Sequence, residues 1–133
     1  MPVLYLYVLN TLADWEIGYL TAEVNSRRFF KHDAPAYEIR FAGSTLKSVK
    51  TMGGISITPD CLVSEITPQA GDVLVLPGAD TWNDAENVSA VDAAKRFLEG
   101  ENTTVAAICG ATTALAGSGL LDNRLHTSNG VGF

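Results

Sequence analysis

Unbroken apolar runs alternate along this chain with segments of helical periodicity, and that alternation restricts the fold more than any other feature. The run Val3-Leu4-Tyr5-Leu6-Tyr7-Val8-Leu9 is apolar, aromatic and β-branched without strict alternation, as expected of a strand covered on both faces of a parallel sheet. Asn10 or Thr11 is placed to cap a helix. From Asp14 to about Arg28 two sets recur at helical spacing, Trp15, Tyr19, Ala22 and Ile17, Leu20, Val24. Tyr37 to Ala42 gives a second strand, ended by Gly43-Ser44. The alternating stretches Leu46 to Thr51 and Ile55 to Thr58 flank Met52-Gly53-Gly54 and predict a small hairpin, closed by Pro59-Asp60. A hydrophobic run from Asp72 ends at Pro77-Gly78. Residues 84–99 follow as a helix with Val88, Val91, Ala94 and Leu98 on one stripe and Gly100 as its stop. Thr103 to Ile108 is the next buried strand, Cys109-Gly110 a turn, and Ala111 to Ala116 a short helix.

This order predicts an α/β fold, a doubly wound, mostly parallel sheet with helices on both faces and a hairpin inserted. Loops at the carboxyl ends of such strands build the ligand site. Residues 10–16, Gly78 to Asp80 and Cys109-Gly110 therefore meet on one rim. A chain of 133 residues, 47% hydrophobic, suffices for one domain with its own core.

Composition narrows the partners. Nine basic residues against 15 acidic ones give a formal charge of −6, so the electropositive footprint of a nucleic-acid binder is missing and anionic membranes are disfavoured. Two cysteines cannot form a stapled framework, and no signal peptide precedes the first strand, so a cytoplasmic setting is expected. Asn102 to Leu121 carries no charge, but its glycines and threonines suit a strand, a turn and a short helix better than a membrane span. No residue cluster has metal-ligand spacing, and neither the dinucleotide glycine fingerprint nor the P-loop occurs; no metal or cofactor is expected.

The chemistry concentrates in Val105-Ala106-Ala107-Ile108-Cys109-Gly110-Ala111-Thr112. A cysteine between a buried strand and a helix sits in a strained elbow. There the helix N-terminus favours the thiolate, and Gly110 bares an N–H able to stabilise an oxyanion. A buried structural cysteine is the competing reading of Cys109; Cys61 is read as packing. Gly78, followed by Ala79, ends the preceding strand and offers a second oxyanion donor or binding amide. Glu16, near the start of the first helix, could share a proton with the sulfur, or simply complement the helix dipole, a role that fits Asp14 still better. His126 is either the general base of a Cys-His pair or a surface-loop histidine.

At these residues the chain resembles the ThiJ/PfpI family, glutamine-amidotransferase-like sandwich proteins that include the parkinsonism-linked protein and intracellular proteases and amidases. The resemblance rests on Asp14-Trp15-Glu16 after an N-terminal strand, on Leu74-Val75-Leu76-Pro77-Gly78, and on Ala107-Ile108-Cys109-Gly110-Ala111 running into Leu115 to Leu121. It implies a flavodoxin-like three-layer sandwich with Cys109 as nucleophile or redox-sensing thiol, Glu16 as its acidic partner, and the Gly78 and Gly110 amides as oxyanion hole. His126 falls where some members carry histidine or threonine. The implied activity is that of a hydrolase or amidotransferase-like enzyme acting on a small carbonyl or amide substrate or a short peptide. The alternative is a redox sensor or stress chaperone in which the same thiol is oxidised. A homodimer is implied as well. Protease- and amidase-type members often have histidine directly after the cysteine, where this chain has Gly110. The family domain also continues beyond the position of Val131-Gly132-Phe133, so a C-terminal part is expected to be missing.

Overall fold

The computed structural model describes residues 1–127, 130 and 131. At its centre lies a sheet in the order β5-β2-β1-β6-β7, with every neighbouring pair parallel. The strands are β1 (Val3–Tyr7), β2 (Glu38–Gly43), β5 (Cys61–Leu62), β6 (Val73–Leu76) and β7 (Thr104–Ala107). A separate antiparallel pair, β3 (Val49–Lys50) and β4 (Ser56–Ile57), is the expected hairpin, and Gly54 turns it at φ +84°.

From the central strand β1 the chain passes through helix α1 (Asp14–Ser26) to β2 on one side. From β6 it passes through α2 (Val88–Glu99) to β7 on the other. Right-handed crossovers in opposite directions put the two helices on opposite faces. Tyr5 meets Phe97 of α2 edge-on, centroids 6.1 Å apart, and Tyr7 lies 5.5 Å from the Trp82 ring. Period-two alternation turns Leu4 and Leu6 to the other face, into the core that holds Ile17 and Val24 of α1. With both its faces covered, β1 has no reason to alternate, and its sequence does not. A buried carboxylate closes the bottom of the sheet: Asp72 accepts the Val3 amide at 2.8 Å and the Gln69 amide at 2.9 Å.

The structure corrects two expectations. The inward face of α2 is Ala90, Ala93, Ala94 and Phe97, while Val88 is 58% exposed. Alanines let the helix approach the sheet closely and Phe97 fills the space beside Tyr5, so volume overrides the larger hydropathy of valine. Of the two sets on α1, only the one containing Ile17 and Val24 faces the core, and Trp15 and Tyr19 remain 67% and 85% exposed. Cys61 packs against the core as expected, and with Leu62 it also forms the edge strand β5 against Ala42 and Gly43. A short helix, α3 (Gly110–Gly117), follows β7. Among the described residues no helix is long and apolar enough to cross a membrane. The expected apolar ending at Gly132 and Phe133 lies outside the described residues, as do Ser128 and Asn129.

Candidate active site

The carboxyl ends of β1, β6 and β7 bring three loops together. In the loop after β1, Thr11 takes φ +68° and turns the chain toward α1. Neither Asn10 nor Thr11 caps that helix, contrary to expectation. The helix begins at Asp14 behind Ala13, and no side chain caps it. The two polar side chains tie neighbouring loops together instead: Asn10 Oδ1 accepts the Lys50 amide at 3.0 Å, and Thr11 Oγ1 accepts the Asp80 amide at 2.9 Å. A side chain engaged across a loop has no local signature, which is why sequence alone missed it.

Asp14 and Glu16 share the first turn of α1, where negative charge complements the helix dipole. Their side chains then diverge. Asp14 Oδ2 accepts the Gly53 amide of the hairpin turn at 2.7 Å, and the neighbouring Thr51 side chain together with that amide holds the carboxyl below the usual carboxylate range. Glu16 Oε2 accepts the Gly78 amide at 2.8 Å, while the Gly78 carbonyl accepts the Ala13 amide at 2.9 Å. Glu16 and Gly78 thus close a ring between α1 and the end of β6.

Cys109 stands where β7 turns into α3, with φ +52° and ψ −123°. A residue with a Cβ rarely adopts that backbone, and such strain concentrates at functional sites. The residues after it turn immediately into helix. The Ala111 amide bonds the Ile108 carbonyl at 3.1 Å, and both the amide and the hydroxyl of Thr112 bond the Cys109 carbonyl, at 3.0 and 2.7 Å.

The acid and the thiol residue converge on Gly78. A Cβ built there would stand 2.7 Å from Glu16 Oε2 and 3.0 Å from the Cys109 Cβ, so any side chain at this position would displace one or the other. The Gly78 amide, expected to face an oxyanion, donates to Glu16 Oε2 instead. Gly110 and Ala79 remain side by side, since a Cβ on Gly110 would stand 3.2 Å from the Ala79 oxygen and 3.7 Å from its nitrogen. As the first residue of α3, Gly110 has no intrahelical acceptor for its N–H. His126 is exposed and lines a cavity of about 310 Å³ with Leu98, Val105, Ala107 and Leu115; neither Cys109, Glu16 nor Gly78 lines that cavity. Burial pushes the Cys61 thiol up, in keeping with a packing role. Among the described residues no cluster of side chains could hold a metal ion.

Known proteins share this arrangement of elements. Residues 3–131 match the DJ-1/PfpI family, and the chain belongs to it. It is 43% identical over 129 residues to a Bacillus subtilis protein named "Uncharacterized protease YoaZ", covering 97% of this chain and 61% of that protein. The crystal structure of a thiJ/pfpI family protein from Bacillus anthracis superposes with a TM-score of 0.90 at 44% identity, over 98% of this chain and 62% of the other. A DJ-1 superfamily protein from Agrobacterium tumefaciens superposes with a TM-score of 0.81 at 31% identity, over 98% and 65%. The chain thus spans about three fifths of the length of these relatives.

Proposed function

We propose that the chain carries the reactive centre of a cysteine-dependent hydrolase acting on a small carbonyl or amide substrate. The observation that supports this is the convergence of Cys109, in a strained turn at a helix N-terminus, and Glu16 on the one residue that leaves room for both, Gly78. The Cys109 thiolate attacks the carbonyl carbon and forms a C–S bond, and the π electrons move onto oxygen. The Gly110 amide, with Ala79 beside it, faces that negative charge. On collapse of the intermediate from an amide the C–N bond breaks, the amine leaves with a proton, and water then cleaves the acyl–sulfur bond. Glu16 is the acid that exchanges protons with the sulfur and the leaving group. A Bacillus subtilis relative named as a protease points the same way.

Turnover of a short peptide amide and of a small primary amide by the wild type, Cys109→Ser and Glu16→Gln tests the proposal. Loss of turnover in Cys109→Ser with the fold intact supports it. Turnover that survives that substitution removes it.

A further inference from the structure

Asn87 immediately precedes α2, but its backbone is already helical, φ −78° and ψ −5°, so its side chain is not set to bond the first amides of the helix. It makes no such bond, and it is 1% exposed. Its Oδ1 accepts the Tyr7 hydroxyl at 2.5 Å and its Nδ2 donates to the Thr81 carbonyl at 2.6 Å. A buried amide thus bridges the end of β1 and the loop beyond β6. That loop is held at further points, the Thr81 hydroxyl donating to the Asn10 carbonyl at 2.7 Å and the Trp82 indole to the Pro77 carbonyl at 2.8 Å. The Trp82 ring in turn packs on Tyr7. The other side of the same loop presents Gly78 to Glu16 and Cys109, and Ala79 to Gly110.

We propose that Tyr7 and Asn87 are positioning residues for the Cys109–Glu16 pair, fixing through residues 77–82 the place at which Gly78 holds the carboxyl beside the thiol residue. The inference rests on the reading of Cys109 as the reactive thiol. Neither residue touches the reacting atoms. Their effect travels through backbone groups of one short loop, where a displacement of an ångström is enough to misplace a catalytic pair. Tyr7 stays a donor throughout the neutral range, because burial pushes its phenol up to about 12.

The test is the rate at which iodoacetamide labels Cys109, followed by mass spectrometry as a function of pH in the wild type, Tyr7→Phe, Thr81→Val, Thr81→Ser and Phe97→Leu. Tyr7→Phe is expected to slow labelling about tenfold at neutral pH. Phe97→Leu, which loosens the core beside Tyr5, is expected to lower Tm while keeping the wild-type rate and pH midpoint. If Tyr7→Phe does not fold, Thr81→Val cuts the tether to Asn10 and slows labelling, and Thr81→Ser, which keeps the hydroxyl, restores it. Wild-type rates and midpoints in both Tyr7→Phe and Thr81→Val, with fast wild-type labelling, overturn the inference alone. So does an equal change in Phe97→Leu. Wild-type Cys109 labelled no faster than Cys61 overturns the reading beneath the inference and the inference with it.

Discussion

At Cys109 the backbone stands at φ +52° and ψ −123°, a region open to glycine that costs a residue with a Cβ about 1–3 kcal/mol. Removing the sulfur alone leaves that cost in place, whereas removing the Cβ relieves it. Cys109→Gly is therefore expected to be more stable than Cys109→Ala by roughly 1–2 kcal/mol in denaturant unfolding; equal stabilities would mean that the turn carries no strain. Gly78 presents the opposite case. Its φ is ordinary, but there is no room for a methyl group, so Gly78→Ala should cost about 1–3 kcal/mol and slow alkylation of Cys109, read by unfolding and labelling of the same preparation. Tyr7 predicts an alkaline response. Its phenol is raised from an ordinary value of 10.0 to about 12, chiefly by burial, so below pH 10 both folded and unfolded chains keep the proton. Between those two values only the unfolded chain releases it, and stability falls as pH rises, by up to about 3 kcal/mol. The urea midpoint of Tyr7→Phe should be flatter across that window than that of the wild type.

Among the elements, α2 is fastened to the far side of the sheet by Arg96, whose guanidinium donates to the Val63 carbonyl at 3.0 Å and to the Ile66 carbonyl at 3.3 Å. Arg96→Met keeps most of the stem but leaves both carbonyls without these donors. It should cost about 1–3 kcal/mol in denaturant unfolding while Cys109 labelling stays at the wild-type rate, since Arg96 lies away from the rim. Several elements were readable in the sequence: β1, β6 and β7 announce themselves by apolar runs, β2 by Ile39 and Phe41 alternating with Glu38 and Arg40, and the hairpin by alternation about Met52-Gly53-Gly54. The two residues of β5 are too few for any period to show. The face of α2 was hidden for another reason. Hydropathy ranks Val88 above Ala90, but the distance between helix and sheet selects the smaller side chain. At the rim, the rule that strand ends build the site named residues 10–16, 78–80 and 109–110. It could not foresee that Glu16 engages the Gly78 amide or that Asn10 and Thr11 serve loops far from them in sequence.

Over the whole molecule, burial is uneven across the sheet. Leu6, Leu74 and Leu76 in the central strands β1 and β6 are fully buried, whereas Val105, Ala106 and Ala107 of β7 are only partly covered. Opening free energies should follow that gradient. Hydrogen exchange is expected to be slowest at the amides of β1 and β6 and faster throughout β7; equal protection in all three would contradict it. The hairpin alters the mechanics of the crevice as well. Its Met52 amide bonds the Leu12 carbonyl and its Gly53 amide the Asp14 side chain, while the Ala13 amide and Glu16 grip Gly78 from the other direction. Two of the three lips are thereby clamped into a single jaw, braced from outside. The opposing jaw is the turn that carries Cys109, at the end of a strand less enclosed than β1 and β6.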